Sequence, residues 1–162
     1  MNLKIYAMYR LRKATLEDAK LLFDWANTDE ARATAIVKKK IAWDEHIYWL
    51  ISKLQSNQTF IYILTNCGNV NIGVLRFDKN NNVFVISFFI DQSYRKKGMG
   101  YMMLRLGIEK MVETETQCTF VASVQMDNIP SNIIFTKMGF KLEKTNIINE
   151  HVFNVYSFQI NS

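Results

Sequence analysis

A short basic segment with two glycines contains the residues that most clearly suggest chemistry. Residues 95–100 have the sequence RKKGMG, and they follow an almost wholly apolar run at residues 83–90. That run is long enough, and rich enough in β-branched and aromatic residues, to be a buried strand. Apolar residues then recur at helical spacing: Met99, Met102, Met103 and Leu106. The basic segment therefore stands where a strand gives way to a helix.

A strand-to-helix junction of this composition favours an anion. The first backbone N–H groups of a helix have no intrahelical partner, and the helix dipole places partial positive charge at that end. Gly98 and Gly100 let the backbone turn tightly and approach a ligand, while three cations add Coulombic attraction. The segment predicts a pyrophosphate site, although a solvated basic turn is the alternative. It matches neither of the two standard nucleotide fingerprints.

A second segment, later in the chain, forms a recognisable pattern together with the first. Residues 128–140 have the sequence NIPSNIIFTKMGF and follow another apolar run at residues 119–124. A strand followed by Arg-x-x-Gly-x-Gly and, some thirty residues later, by Asn-x-x-Ser-x-x-x-Phe-x-x-x-Gly-Phe resembles the GCN5-related N-acetyltransferase (GNAT) superfamily. The resemblance extends from about Tyr9 to the end of the chain.

The resemblance implies both a fold and a reaction. The expected fold is α/β, with a mixed, mostly antiparallel sheet of about seven strands flanked by about four helices. Its central strands are expected to splay apart at the cofactor. The expected reaction is transfer of the acetyl group of acetyl-CoA to a primary amine, without a metal.

The resemblance also implies where the cofactor lies. The pyrophosphate is expected on backbone amides of residues 96–100 beside Arg95. The pantetheine arm is expected to pair with the backbone of the central strand, where an N–H at Ile90 is the candidate oxyanion donor. The cofactor-binding residues implied are Phe88, Ile90, Arg95, Lys96, Lys97, Gly98, Met99, Gly100, Asn128, Ser131 and Phe135.

The catalytic acid and base are not evident, because the sequence departs from the family pattern. Phe135 stands where tyrosine is often the acid, and Val85 and Ser123 stand where glutamates are frequent. Catalytic residues therefore remain unknown. A water that accepts the ammonium proton could be held by Ser87, Ser123 or His46, which are the candidates.

The N-terminal half suggests an acceptor. Residues 23–27, Arg32 and residues 43–46 with Trp49 resemble the subgroup that acetylates nucleotide-linked 4-amino-sugars in pseudaminic-acid and surface-glycan biosynthesis. The resemblance places Arg32 and His46 against the nucleotide or its diphosphate. One departure is Ala26, where related sequences hold an arginine. Trp49 lies off the apolar face of its helix, so a ligand, a loop or a second subunit should cover it, which leaves a homodimer open.

The elements that must position these residues are predicted from hydrophobic periodicity and turn signals. Helices are expected from Thr15 to about Asn27, over residues 29–35 and 43–54, and after each of the two motifs. Gly107 inside a helix costs about 1 kcal/mol relative to alanine unless close packing needs it. The remaining strands are predicted at residues 8–13, 60–65, 70–77, 140–148 and 151–160.

Length and composition are those of one domain spanning residues 1–162. The chain has 162 residues, 49% of them apolar, which favours a packed core over disorder. Its net charge of +5 suits phosphorylated ligands. Cys67 and Cys118 have no metal-binding spacing and are expected to be ordinary thiols in a reducing cytoplasm. No apolar run is long enough for a membrane span or a targeting segment.

Three alternatives to the amino-sugar acetyltransferase stay open. The first is a protein or ribosomal N-terminal acetyltransferase of the same fold. The second is a non-catalytic acyl-CoA-binding sensor, which the missing acid and glutamates favour. The third is nucleic-acid binding through the basic charge, which no accompanying motif supports, so that no nucleic-acid partner is expected.

Overall fold

The structure is a computed structural model that describes residues 7–161. The single domain predicted over residues 1–162 therefore includes residues 1–6 and 162, which lie outside the described part. Within residues 7–161 the chain forms five α-helices rather than about four: α1 (Ala19–Ala26), α2 (Asp29–Thr34), α3 (Trp43–Gln55), α4 (Met99–Val112) and α5 (Ile129–Lys137). The seven strands are β1 (Tyr9–Lys13), β2 (Thr59–Asn66), β3 (Asn71–Asn80), β4 (Val83–Ile90), β5 (Cys118–Gln125), β6 (Lys141–Ile148) and β7 (His151–Ile160).

The seven strands make one mixed sheet in the order β1-β2-β3-β4-β5-β7-β6. All neighbours pair antiparallel except β4 and β5, which are parallel and connected through α4. A parallel pair needs such a crossover because its two strands run in the same direction. The predicted seven-stranded, mostly antiparallel α/β fold is thus confirmed.

The parallel pair separates after only three residues. β4 and β5 are in register at Val83, Phe84 and Val85, opposite Thr119, Phe120 and Val121. β4 then continues to Ile90 paired with β3 alone, and β5 continues to Gln125 paired with β7 alone. The predicted splay of the central strands is therefore present, and it leaves one edge of each strand open at the carboxyl end.

Each face of the sheet carries its own hydrophobic core. On one face α4 packs its methionines onto a fully buried phenylalanine cluster: Phe77, Phe84 and Phe120. On the other face α1 and α3 cover Ile61 and Ile63 with Leu22, Trp25 and Leu50. Helices therefore cover both faces of the sheet around the open gap, which is the feature that positions the site.

Trp25 is a core residue, as its place in the apolar face of the first long helix predicts. Its ring lies 6.0 Å from that of Phe89, and its side chain is 5% exposed. Its indole N–H also donates to Asp91 Oδ2 at 3.0 Å. This hydrogen bond ties α1 to the loop that follows β4.

Close packing explains the glycine within α4. A Cβ added at Gly107 would stand 2.1 Å from Leu75 Cδ2 and 3.1 Å from Phe77 Cζ. We expect Gly107→Ala to destabilise the protein by about 1–2 kcal/mol, because overpacking outweighs the gain of about 1 kcal/mol in helix propensity. The midpoint of urea unfolding measures this. Gly68→Ala is the control, since its Cβ would meet only Asn66 Oδ1 at 3.4 Å; equal midpoints for the two variants would contradict the explanation.

Candidate functional site

The loop between β4 and α4 turns through two left-handed residues. Lys96 has φ of 59° and Gly98 has φ of 76°. Gly98 is the N-cap of α4 and supplies no side-chain acceptor, so the first-turn N–H groups of a 14-residue helix stay available to a ligand. A left-handed turn that leads into a helix N-terminus is a concave arrangement of amides that suits an anion. The pyrophosphate site stays a prediction, and this backbone geometry is compatible with it.

Two of the three loop cations are engaged by nearby residues, one at the end of β4 and the other within the loop. Arg95 donates from Nε to the carbonyl of Ile90 at 3.0 Å, and its guanidinium lies 5.2 Å from the ring centroid of Phe89. Lys97 donates to the carbonyl of Ser93 at 2.8 Å. The Nε of Arg95 therefore fixes the end of β4.

A cavity of about 1000 Å³ opens beside this loop, and we call it the cofactor-side cavity. It contains the residues predicted for the cofactor on β4 and at the start of α5, and those of the basic loop except Lys97. Two further cations that the sequence analysis missed, Arg105 and Lys137, line it as well. Arg105 lies outside the two motifs and Lys137 occupies an unspecified position of the second, so only the packing of α4 beside α5 reveals them. The predicted members in its lining are Phe88, Ile90, Arg95, Lys96, Gly98, Met99, Gly100, Asn128 and Ser131.

A second cavity of about 660 Å³ lies between the sheet and helices α1 to α3, and we call it the acceptor-side cavity. It brings together all three catalytic candidates and both substrate candidates: Ser87, Ser123, His46 and Arg32. These residues come from four different elements, α2, α3, β4 and β5. Their convergence in one cavity could not be derived from the sequence.

The two cavities meet in the gap between β4 and β5. Six residues line both of them: Ala31, Thr34, Phe88, Phe89, Asn128 and Ser131. A ligand on one side of the sheet can therefore reach a ligand on the other side through the opening where the parallel pair separates. This is the geometry that a transfer between two bound molecules needs.

His46 is buried in the wall of the acceptor-side cavity, with a side chain 2% exposed. Its Nε2 lies 2.9 Å from the carbonyl oxygen of Ala19. Since a carbonyl only accepts, Nε2 carries the proton, and Nδ1 is left as an acceptor in the neutral ring. Burial lowers the pKa of His46 below its ordinary value near 6.5, and the hydrogen bond to Ala19 opposes this in part. The ring is therefore neutral at pH 7.

Ser87 and Ser123 lie on the same face of the sheet, each two residues beyond the last paired residues, Val85 and Val121. Both serines are exposed to the acceptor-side cavity. The hydroxyl of Ser87 accepts from Arg76 Nη2 at 3.3 Å. The two serines stand on opposite sides of the gap, where a bridging water could be held.

A comparison with protein-family models decides the family. The model described as the acetyltransferase (GNAT) domain matches residues 9–141. The chain belongs to the acetyltransferase (GNAT) family. It is accordingly an acetyl-CoA-dependent N-acetyltransferase. A comparison with curated proteins finds no match.

Solved structures share the fold of this acetyltransferase. The spermidine N-acetyltransferase of Vibrio cholerae, in complex with CoA and spermine, has a TM-score of 0.87 at 12% identity, with 94% of this chain and 96% of that chain covered. The ribosomal L7/L12 α-N-protein acetyltransferase in complex with coenzyme A has a TM-score of 0.80 at 20% identity, with 95% of each chain covered. At these identities the likeness shows the fold alone.

Phe135 is a core residue of this acetyltransferase. It is 2% exposed, and its ring stacks on Tyr156 at 5.7 Å and packs edge-on to Phe140 at 5.0 Å. It lines the acceptor-side cavity, but it does not line the cofactor-side cavity as its predicted contact with the thioester suggested. Phe140 is buried, as expected.

Asn128 and Asn132 hold the start of α5. Asn128 Oδ1 accepts from the backbone N–H of Ser131 at 3.4 Å, so this predicted pair caps the helix. Asn132, which the sequence analysis missed, donates to the carbonyls of Gln125 at 3.0 Å and Asn128 at 2.8 Å. Its Oδ1 accepts from the Tyr156 hydroxyl at 2.8 Å. Asn132 thereby fixes the end of β5 against α5 and β7.

Arg32 is engaged with the backbone around α2. Its Nε donates to the carbonyl of Ala26 at 2.6 Å and its Nη1 donates to the carbonyl of Val37 at 3.1 Å. Burial lowers the pKa of Arg32, although the group stays charged near neutral pH. The guanidinium braces the segment between α2 and α3, and its contact with a ligand stays a prediction.

Within residues 7–161, no group of three or more His, Cys, Asp or Glu side chains is arranged to hold a metal ion. No helix in that range is both long and apolar enough to cross a membrane. Cys67 is exposed, Cys118 is buried, and both thiols are free.

Proposed function

We propose that this acetyltransferase binds acetyl-CoA in the cofactor-side cavity and passes the acetyl group through the gap between β4 and β5 to a primary amine in the acceptor-side cavity. The observation that carries the proposal is the meeting of the two cavities at Phe88, Phe89, Asn128 and Ser131. An amide-lined helix start lies on one side of that junction, and a cavity with a neutral histidine lies on the other.

The cofactor side is suited to a molecule with phosphates at one end and an amide-bearing arm. The diphosphate would rest on the N–H groups of residues 96–100, and Arg105 and Lys137 supply charge for a further phosphate. The arm would lie along the open edge of β4, at Phe88 and Ile90, because that edge has no sheet partner. Two of the similar structures are complexes with coenzyme A, which supports the choice of this cofactor.

The chemistry needs a neutral amine held against the thioester carbonyl. His46 Nδ1 would accept the ammonium proton through a water that the hydroxyls of Ser87 and Ser123 hold, and a backbone N–H at Ile90 would stabilise the oxyanion. The thiolate of CoA leaves without a side-chain acid, because Phe135 has no proton to donate. CoA thiolate is a good enough leaving group for transfer to proceed in this way.

The acceptor we propose is an amine on a nucleotide-linked amino-sugar, used in surface-glycan biosynthesis. Two arginines and one carboxylate line the acceptor-side cavity among the described residues: Arg32, Arg76 and Glu45. Lys38, Lys39 and Lys40 follow in the segment between α2 and α3. A polyamine with several positive charges would meet mostly like charge there, whereas a diphosphate would be attracted.

Binding and turnover on a panel of amines test this proposal. Acetyl-CoA at a hundredfold excess over its Kd should stabilise the protein by about 2.7 kcal/mol, measured as a thermal shift. Release of CoA thiol is then followed with a uridine-diphosphate-linked 4-amino-sugar, spermidine and a peptide with a free N-terminus. We expect turnover with the nucleotide sugar. Turnover with spermidine or the peptide instead would replace the acceptor, and binding without turnover on any amine would identify a sensor.

A further inference from the structure

We infer that Arg76, held against Trp49, is the contact for an anionic group of the acceptor, a phosphate or a carboxylate. Arg76 lies on β3 and faces the acceptor-side cavity, which Trp49 also lines. The inference rests on the proposed function, because it assumes that the amine acceptor occupies this cavity. It adds a binding residue for which the sequence motifs gave no signal.

The guanidinium of Arg76 is fixed before any ligand arrives. Its Nε donates to Asp78 Oδ2 at 2.8 Å, and its Cζ lies 5.2 Å from the centroid of the Trp49 ring. Asp78 is held in turn by Lys53 Nζ at 2.7 Å and by the Thr59 hydroxyl at 3.0 Å. A side chain held in this way loses little conformational entropy on binding.

Asp78 does not neutralise all of the positive charge around Arg76. Burial alone would raise the pKa of Asp78, but the hydrogen bond from Lys53 and the charge of Arg76 bring that pKa below its ordinary value, so the carboxylate is ionised. One negative charge therefore faces two positive charges. The cluster of Lys53, Arg76 and Asp78 keeps a net charge of +1 beside the acceptor-side cavity.

Arg76 also keeps unused hydrogen-bond donors. A guanidinium has five N–H groups in a fixed fork. Among residues 7–161, Arg76 donates only to Asp78 from Nε and to the Ser87 hydroxyl from Nη2, the latter at 3.3 Å. Three N–H groups remain for a ligand, and its side chain is 29% exposed. Paired N–H donors of this kind bind phosphate or carboxylate oxygens in a bidentate manner.

The arrangement also accounts for Trp49, whose large side chain lies off the apolar face of α3. Its ring is covered by Arg76 and lies 5.7 Å from the ring of His46. A second subunit is therefore not needed to cover it. Arg32 offers a contrast in the same cavity, since its donors are bound to backbone carbonyls. Arg76 is thus better placed than Arg32 to take up an acceptor anion.

A binding experiment tests the contact without turnover. Uridine diphosphate, and separately malonate as the carboxylate probe, are titrated calorimetrically into protein saturated with CoA, so that the amides of residues 96–100 are occupied. We expect Arg76→Gln to weaken, by about tenfold or more, the binding of whichever of the two probes the wild type binds more tightly. The affinity for CoA should be unchanged. Arg76→Lys should retain part of the affinity. Arg10→Gln is the control, because Arg10 lines neither cavity and contacts Asn69.

The outcomes separate this inference from the proposed function. Equal affinity in the wild type and in Arg76→Gln, or no binding of either probe to the wild type, overturns the contact whatever the turnover shows. If Arg76→Gln does not fold, the same comparison is made with Arg76→Lys, and unchanged affinity there overturns the contact. A third outcome is that a probe binds, that its binding depends on Arg76, and that no amine is turned over. This outcome would refute the acetyl transfer but would retain the anion contact.

A matched pair of acceptors gives the kinetic counterpart. The nucleotide-linked amino-sugar carries the anion, and the methyl glycoside of the same amino-sugar does not. We expect Arg76→Gln to raise KM for the first about tenfold or more and to leave kcat/KM for the second within about twofold. Equal losses on both acceptors would mean that Arg76 only supports the fold, and would overturn the inference.

Discussion

Gly100→Val should abolish acetyl-CoA binding while the protein remains folded. Gly100 lies in the first turn of α4, and a Cβ there would stand 2.8 Å from Ile134 Cδ1 and 3.5 Å from Phe88 Cε2. The end of the Ile134 side chain can move aside, but the valine methyl groups then fill the wall of the cofactor-side cavity. Loss of two charge-assisted amide contacts corresponds to a Kd weaker by at least about 100-fold.

The neighbouring glycine supplies the matched control for this experiment. Gly98 has φ of 76°, and no atom lies within 4 Å of a Cβ built there. Gly98→Asn should keep most of the affinity, since asparagine tolerates the left-handed region, whereas the β-branched Gly98→Val should lose it. Calorimetry with acetyl-CoA measures the affinity, and circular dichroism checks the fold. Full affinity in Gly100→Val would count decisively against the cofactor placement.

The central motif was predictable because its signals are local. The apolar run of β4, the two glycines and the methionines of α4 lie within one continuous stretch, and each has a direct meaning for the backbone. The opening between β4 and β5 has no such local signal. It followed from the resemblance to the family, and the structure confirms it by the end of parallel pairing at Val85 and Val121.

The acceptor side was less predictable because its residues depend on partners far away in the chain. Helical periodicity placed Trp49 off the apolar face of α3, and the resemblance placed His46 against the acceptor. The structure buries His46 against Ala19 of α1 and covers Trp49 with Arg76 of β3. Periodicity shows which residues share a face, but it does not show what packs on the others.

Cations posed a similar difficulty, since charge alone does not tell a ligand contact from a structural one. Arg32 and Arg95 were both predicted to face phosphates, and each donates to backbone carbonyls. Any arginine near a loop can find such carbonyls, which the sequence does not reveal. Conversely, Arg76 and Arg105 lie outside the two motifs and are recognisable only because of the cavities that they line.

His46→Gln should lower kcat by about 100-fold or more, the usual contribution of a general base, without changing KM for acetyl-CoA. Glutamine can still donate to the carbonyl of Ala19, so the packing of α3 on α1 is retained while the acceptor Nδ1 is lost. Burial lowers the pKa of His46 from about 6.5. The wild-type rate should therefore fall only as the pH drops below that value, and this acidic limb should disappear in His46→Gln.

The chain offers a close control for this prediction, because it has only two histidines. His151 contacts Gln125 at 3.5 Å and lines neither cavity, so His151→Gln should leave the profile unchanged. Ser123→Ala should reduce kcat less than His46→Gln, since it removes a support of the water and not the proton acceptor. If His46→Gln and Ser123→Ala both keep the wild-type pH–rate profile, the proton leaves by another route and His46 has only a packing role.

The folded form should also lose stability as the pH falls below about 6.5, because the unfolded chain then binds the proton more readily than buried His46 does.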